Sequence, residues 1–159
     1  MSNKTNLYIG RAGQMAVMAE FLLRGWNVAV PEVDIGDDLL VLRDEDGNLS
    51  RIQVKTASAT ALQQGYSLRY SVRFSQLSQF ILPEVTFVFA SRLNKQWNPF
   101  IVIPRDILFD SHRLHGVGSL TQSGNVTFYF RYDNSEITCG GQDFSHYLDN
   151  WDEWPIIEH

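Results

Sequence analysis

Cysteine is almost missing from this chain: Cys139 is the only one. A lone thiol excludes both a disulfide framework and a cysteine-based zinc cluster, and it fits a reducing, cytoplasmic compartment. Long apolar runs are missing too. No window approaches the roughly 20 apolar residues that a helix needs to cross a bilayer. The opening Met-Ser-Asn-Lys-Thr-Asn lacks the apolar core of a signal peptide, so no membrane association is expected. Positive charge is scarce: 13 Lys and Arg against 18 Asp and Glu leave a formal net charge of −5. That balance weighs against a polyanionic partner, because a DNA binder usually carries a basic face. The charges are unevenly spread, however. Asp143, Asp149, Asp152, Glu153 and Glu158 crowd the C-terminus, whereas Arg51, Lys55, Arg69 and Arg73 fall in the middle. Repeats, low-complexity segments and linkers are also missing, so 159 residues, 44% of them hydrophobic, read as one domain over 1–159.

What is there centres on the stretch from Asp34 to Thr56. Leu39 to Leu42 is a short apolar run, Leu49 to Val54 alternates apolar with polar, and Asp46-Gly47 lies between them. Asp-Gly is a strong hairpin signal, because a type I′ turn needs positive φ at both central residues. A two-residue turn there sets 45 opposite 48, 40 opposite 53 and 38 opposite 55. Opposed residues share a face, and so do residues two apart on one strand. Asp38, Gln53 and Lys55 therefore converge, with Leu40, on one side of the hairpin. A solvated sheet face also explains an Asp across from a Lys, but the pattern around these three favours a site.

Pro31, Asp38 and Gln53-Val54-Lys55 together resemble the signature of the PD-(D/E)XK nuclease superfamily. The form with Gln at the second position is similar to Mrr-type restriction enzymes and to small intron-encoded homing endonucleases. Holliday-junction-resolving enzymes share the layout, in which a glycine-flanked helix precedes the same hairpin; here Gly10-x-x-Gly13-Gln14 precedes it and Thr56-Ala57 follows. The resemblance spans Gly10 to about Thr56. It implies a restriction-endonuclease-like α/β core, a central mixed sheet flanked by helices, which the strands after Tyr66 extend. It also implies a glutamate eleven residues before the glycine that ends the first helix. Gln14 stands eleven before Gly25, so the position matches and the charge is missing.

The first helix is expected from about Gly10 to Arg24, with Gly25 as its stop. Glu20 and Arg24 sit four apart in the favourable order for a surface pair, so Glu20 is not a metal ligand. Gln14 lies in the apolar stripe with Met18 and Phe21. Asn27 to Val30 reads as a strand that Pro31 ends. Asp34 fits a turn-stabilising role, and Asp37, one residue out of phase with Asp38, is expected to point away from Gln53 and Lys55. Tyr66 to Arg73 alternates cleanly and puts Arg69 and Arg73 on a polar face, suited either to an edge guarded by charge or to phosphate contact. Phe74 to Ile81 suits one or two helical turns. Val85 to Ala90 and Phe100 to Ile103 read as buried strands, Asn125 to Tyr132 as another strand expected to pair near them, and Arg105 to Phe109 as a helix. His112 and His115 lack a third ligand and are read as loop residues. The tail, with Tyr147, Trp151 and Trp154, is read as a short helix docked by its aromatics.

The resemblance implies a Mg²⁺-dependent DNA endonuclease, with Mn²⁺ able to stand in. Asp38 would anchor the cation, and the Val54 carbonyl and the Gln53 amide oxygen would complete the protein's share. Lys55 would stabilise charge or orient the water, and Gln14 would orient a metal-bound water. Arg51, Arg69 and Arg73 would contact DNA, and a homodimer or higher homo-oligomer would match the duplex. The alternative is a nuclease-fold protein with little or no catalysis, working as a nucleic-acid-binding or protein-interaction module. A positive groove beside Lys55, Arg69 and Arg73 separates the two.

Overall fold

The computed structural model describes residues 3–33 and 36–159; the expectation for Asp34 lies outside them. Helix α1 (Asn3–Leu23) leads to β1 (Asn27–Ala29), β2 (Leu39–Leu42) and the long β3 (Leu49–Ser58). Next come β4 (Thr60–Ala61), β5 (Tyr66–Arg73), α2 (Phe74–Ser78), β6 (Val85–Leu93), β7 (Gln96–Trp97), β8 (Ile101–Pro104) and α3 (Arg105–His115). The chain closes with β9 (Ser119–Leu120), β10 (Asn125–Asp133), β11 (Glu136–Cys139), β12 (Gln142–Asp143) and a 3-10 turn at Ser145–Tyr147. No helix among the described residues is long and apolar enough to cross a membrane.

The strands form two sheets. The first is mixed: β1, β2, β3 and β6 lie side by side, β7 and β8 flank β6, and only the β3–β6 pair is parallel. The second is antiparallel, running β12-β11-β10-β5-β4 with β9 against β10. The expected α/β class with a mixed central sheet is what the chain forms. The strands after Tyr66 do not all extend that sheet, however. β5 and β10 pair with each other and build the second layer instead. Their strict alternation explains this: Tyr66, Leu68, Tyr70 and Val72 are buried on one side while Arg69, Ser71 and Arg73 are exposed on the other, as a sheet with one wet face requires.

Two cores result. Phe87, Phe89, Ile101 and Ile103 of the first sheet meet Tyr70, Val72, Phe128 and Phe130 of the second. On the opposite face of the first sheet, Leu39, Val41, Ile52 and Val54 pack against Val17 and Phe21 of α1 and against Trp151 and Trp154 of the tail. Those tryptophans meet Phe21 edge-on with ring centroids 5.3 Å away, so the tail docks by its aromatics as its composition suggests.

Several boundaries move. α1 starts seven residues earlier than expected, since nothing between Asn3 and Ile9 breaks a helix. Its stop is as read: Gly25 has φ +84°. α3 continues through His112 to His115 and ends at Gly116 in the left-handed region, so the two histidines are helical rather than in a loop. His112 Nδ1 bonds the Val117 carbonyl at 2.7 Å, which closes the helix end. The two-residue turns lie elsewhere than expected, at Asn94-Lys95, Asn134-Ser135 and Gly140-Gly141, where both central residues have positive φ.

Candidate functional site

The β2–β3 hairpin turns differently from the two-residue reading. Arg43 and Asn48 close a four-residue loop. Within it Gly47 alone takes positive φ (71°), and the Asp46 carboxylate accepts the Asn48 N–H at 2.9 Å. That local bond holds Asp46 out of the left-handed region. The register accordingly moves by two residues: Leu39 faces Ile52, Leu40 faces Arg51, and the Asp38 N–H bonds the Ile52 carbonyl at 2.9 Å. Asp38 thus stands beside Gln53 rather than opposite Lys55. A shift of two preserves side-chain parity, which is why the convergence survives the wrong turn.

β2 ends at Leu39 while β3 runs on to Ser58, so the second half of β3 has no strand on that side. Asp38 takes the vacated place. Its Oδ2 accepts the Val54 N–H at 2.7 Å and the Gln53 Nε2–H at 2.6 Å. The N–H and C=O of one strand residue leave on the same side, so the Val54 carbonyl also points where β2 has stopped. Gln53 is buried, and its Oε1 has no hydrogen-bond partner. A buried amide oxygen left bare costs about 1–3 kcal/mol.

Two adjoining hollows meet over this strand end. One, of about 610 Å³, is lined by Asp38, Gln53, Val54 and Lys55 from the hairpin and by Arg73, Ser75, Gln76 and Gln79 from the end of β5 and from α2. The other, of about 320 Å³, shares Asp38, Val54 and Lys55 and is closed by Leu7, Gly10, Arg11 and Gln14 of α1. Asp38, Gln53, Lys55, Gln14, Val54 and Arg73 are therefore brought together. Gln14 reaches the site in an unexpected posture: its Nε2 donates to the Asp38 main-chain carbonyl at 2.9 Å, and its Oε1 accepts from Arg11 at 2.6 Å.

Other expectations fare differently. Arg51, expected at the DNA, donates its Nη1 to Asp37 Oδ2 at 2.9 Å. Asp37 therefore points towards the Gln53 face, because the ladder ends at the Asp38 N–H, which still bonds Ile52, and alternation does not apply before it. Arg69 lies on the outer face of the second sheet, its guanidinium 5.7 Å from the Tyr129 ring centroid, and it lines neither hollow. Glu20 pairs with Arg24 at 3.0 Å, as its spacing suggests. Among the described residues no group of three or more His, Cys, Asp or Glu gathers as a metal cage.

Two features escaped the sequence. Gln76 of α2 accepts from Lys55 Nζ at 3.5 Å, and nothing in Phe74 to Ile81 marks it. Gly13 is buried directly under Thr56: a Cβ there would lie 2.6 Å from Thr56 Cγ2 and 2.8 Å from its Cβ. The glycine before Gln14 lets α1 come close enough for the amide to touch Asp38.

The structure is a mixed α/β fold in which a helix and an antiparallel layer cover opposite faces of the central sheet. Among solved structures, that of a bacterial homing endonuclease, I-Ssp6803I, aligns with 69% of this chain and 74% of its own at a TM-score of 0.47 and 22% identity. No family model matches the sequence, and neither does any curated protein.

Proposed function

We propose that the chain is a Mg²⁺-dependent DNA endonuclease, with Mn²⁺ an accepted substitute. The observation that carries this reading is the bare, buried Oε1 of Gln53 beside the Asp38 carboxylate and the Lys55 ammonium, all at one hollow. Asp38, Gln53 Oε1 and the Val54 carbonyl are hard oxygen donors. One carboxylate with neutral oxygens suits a cation that keeps several waters and completes its shell with a substrate phosphate. Bound there, the cation would polarise the scissile phosphate and acidify a water.

The chain's own groups supply the rest. Lys55 places a compact positive charge against the phosphate, and Gln76 restrains its swing. Gln14 acts through the Asp38 backbone, fixing where that carboxylate stands, in place of the water-orienting task expected of it. Arg73, at the rim, offers a guanidinium fork to a phosphate next to the reacting one, and Arg69 extends that contact along the second sheet. Arg51 steadies the loop through Asp37. Cutting both strands with one site per chain calls for two copies about a two-fold axis, hence a homodimer or higher homo-oligomer. A single buried thiol suits the cytoplasm.

The second reading, a protein that binds nucleic acid without cutting it, draws on Gln14: its amide is spent on the Asp38 carbonyl, so α1 adds no carboxylate to the hollow. Incubation with supercoiled plasmid and Mg²⁺ decides between them. The wild type should nick; Asp38→Ala and Lys55→Ala should each abolish nicking while keeping the native circular-dichroism spectrum. Undiminished cleavage by either variant ends the endonuclease assignment, and retention of plasmid without nicking by the wild type establishes the second reading.

A further inference from the structure

α1 is apolar on two opposite sides. Gly13, Val17 and Phe21 face the first sheet. Half a turn away, at about 100° per residue, Tyr8, Ala12, Met15, Ala19 and Leu22 form a stripe with the i, i+4, i+7 spacing of a helix-pairing seam. Tyr8 is 70% exposed, Met15 57% and Leu22 54%. Charged residues on the helix are few, Lys4, Arg11 and Glu20, and Glu20 is spent on Arg24 just past its end. A helix apolar all round is a buried helix. The outer seam of α1 lacks the second layer that its composition calls for.

We infer that this seam is the contact between two copies of the chain, packed with their α1 helices antiparallel about a two-fold axis near Met15. The large and small residues fit such a pair, with Tyr8 of each copy meeting Leu22 of the other while Ala12 and Ala19 leave room for close approach. Charge fits it as well. α1 has no acidic residue in its first turn and carries Lys4 there instead, against its own dipole. An antiparallel neighbour sets that lysine beside the carbonyl end of the other helix, a favourable placement. The exposed parts of Tyr8, Met15, Leu22 and Leu23 amount to roughly 500 Å² per copy, and two such faces reach the ~1,000 Å² total at which a specific interface becomes credible. An area of that size belongs to the small interfaces of reversible, transient pairs. None of this depends on the chemistry of the hollow, although Gly10, Arg11 and Gln14, on the adjacent shoulder of α1, line it.

Sedimentation of the full chain without DNA or metal provides the test. The wild type should be dimeric above about 10 µM. Met15→Glu/Leu22→Glu should raise the dissociation constant at least about 100-fold and leave the melting temperature of the monomer unchanged. Leu120→Glu, at an exposed apolar position on β9, should stay dimeric, and so should Lys55→Ala. Met15→Cys should form an intermolecular disulfide under mild oxidation. A wild type that remains monomeric at about 100 µM overturns the inference. So does a dimer indifferent to Met15→Glu/Leu22→Glu, or one broken equally by Leu120→Glu. Each of these results leaves the nicking assay untouched, since one site cuts one strand, whereas the two copies that double-strand cutting calls for rest on this seam only if the inference holds.

Discussion

Gln53 donates its amide to the carboxylate of Asp38 at 2.6 Å, while the oxygen of the same amide is buried without a partner. A polar atom kept in that condition opposes stability, and a bound cation would relieve it. Gln53→Met should therefore leave the metal-free melting temperature within a few degrees of the wild type. The oxygen that costs about 1–3 kcal/mol when bare goes, at the expense of one donor to a carboxylate that Val54 still holds. The wild type should gain on the order of 5–10 °C in saturating Mg²⁺, and Gln53→Met should gain far less. Thermal melts with and without Mg²⁺ read both. An equal gain in the two proteins would remove Gln53 from the ligand set.

Gln14→Glu turns a donor into an acceptor against the Asp38 carbonyl. In chelator it should lower the melting temperature by a few degrees, as a lost hydrogen bond replaced by oxygen–oxygen repulsion implies. A divalent cation between Glu and Asp38 cancels that repulsion, so Mn²⁺ should restore the loss and raise Mn²⁺ affinity above the wild type. Calorimetric titration measures the affinity directly, and a variant that Mn²⁺ does not rescue counts against a cation at this end of β3.

Gly13→Ala puts a methyl group into Thr56. The overlap involves the threonine's Cβ as well as its branches, so a rotamer change alone does not clear it, and α1 must lift. A cost of about 1–3 kcal/mol is expected, as for overpacked cores. Thr56→Ala in the same chain should recover part of it. Full stability in Gly13→Ala would mean that α1 does not lie this close.

Asp149 gives a pH signature. Although Asp149 is exposed as a residue, desolvation among Trp97, Phe100 and Trp151 raises its carboxyl above the ordinary value, outweighing the Phe100 N–H it accepts and the nearby Arg24. The unfolded chain loses this proton first, near pH 3.9. Stability from this group is therefore full below that pH and is lost as pH rises through the higher folded value. Asp149→Asn keeps the acceptor and tolerates the left-handed backbone there (φ +45°). It should be more stable than the wild type at pH 7, with the advantage vanishing below about pH 4. Urea melts across that range check it; a constant offset at all pH values contradicts the assignment.

The hairpin shows how sequence reading can succeed through an error. Period-two alternation places Asp38, Gln53 and Lys55 on one side whatever the turn length, provided the miscount is even. The turn itself was illegible, because the Asp46 side chain competes with the backbone and Asp-Gly carries both outcomes. The amphipathic strand Tyr66–Arg73 was plain from its alternation, but which sheet it joins was not. Pairing of β5 with β10 links residues between 52 positions apart (Arg73 and Asn125) and 66 apart (Tyr66 and Tyr132), and no local pattern encodes that. Gln76 was invisible for a similar reason, since a lone glutamine in a five-residue helix acquires meaning only from the lysine folded against it. Gln14 was found by position while its partner atom was not, because an amide can present either end.

The parallel β3–β6 pair has a consequence for biosynthesis. The segment that bridges those strands contains β5, whose neighbour β10 is translated much later. A hairpin closes in microseconds, so Asp38 can settle beside Gln53 as soon as β3 leaves the ribosome. α2, hanging from the end of β5, can be pinned over Lys55 only after β10 has emerged. A nascent chain at that stage carries the hairpin half of its hollow, Asp38, Gln53, Val54 and Lys55, without the wall that Arg73, Ser75 and Gln76 later supply.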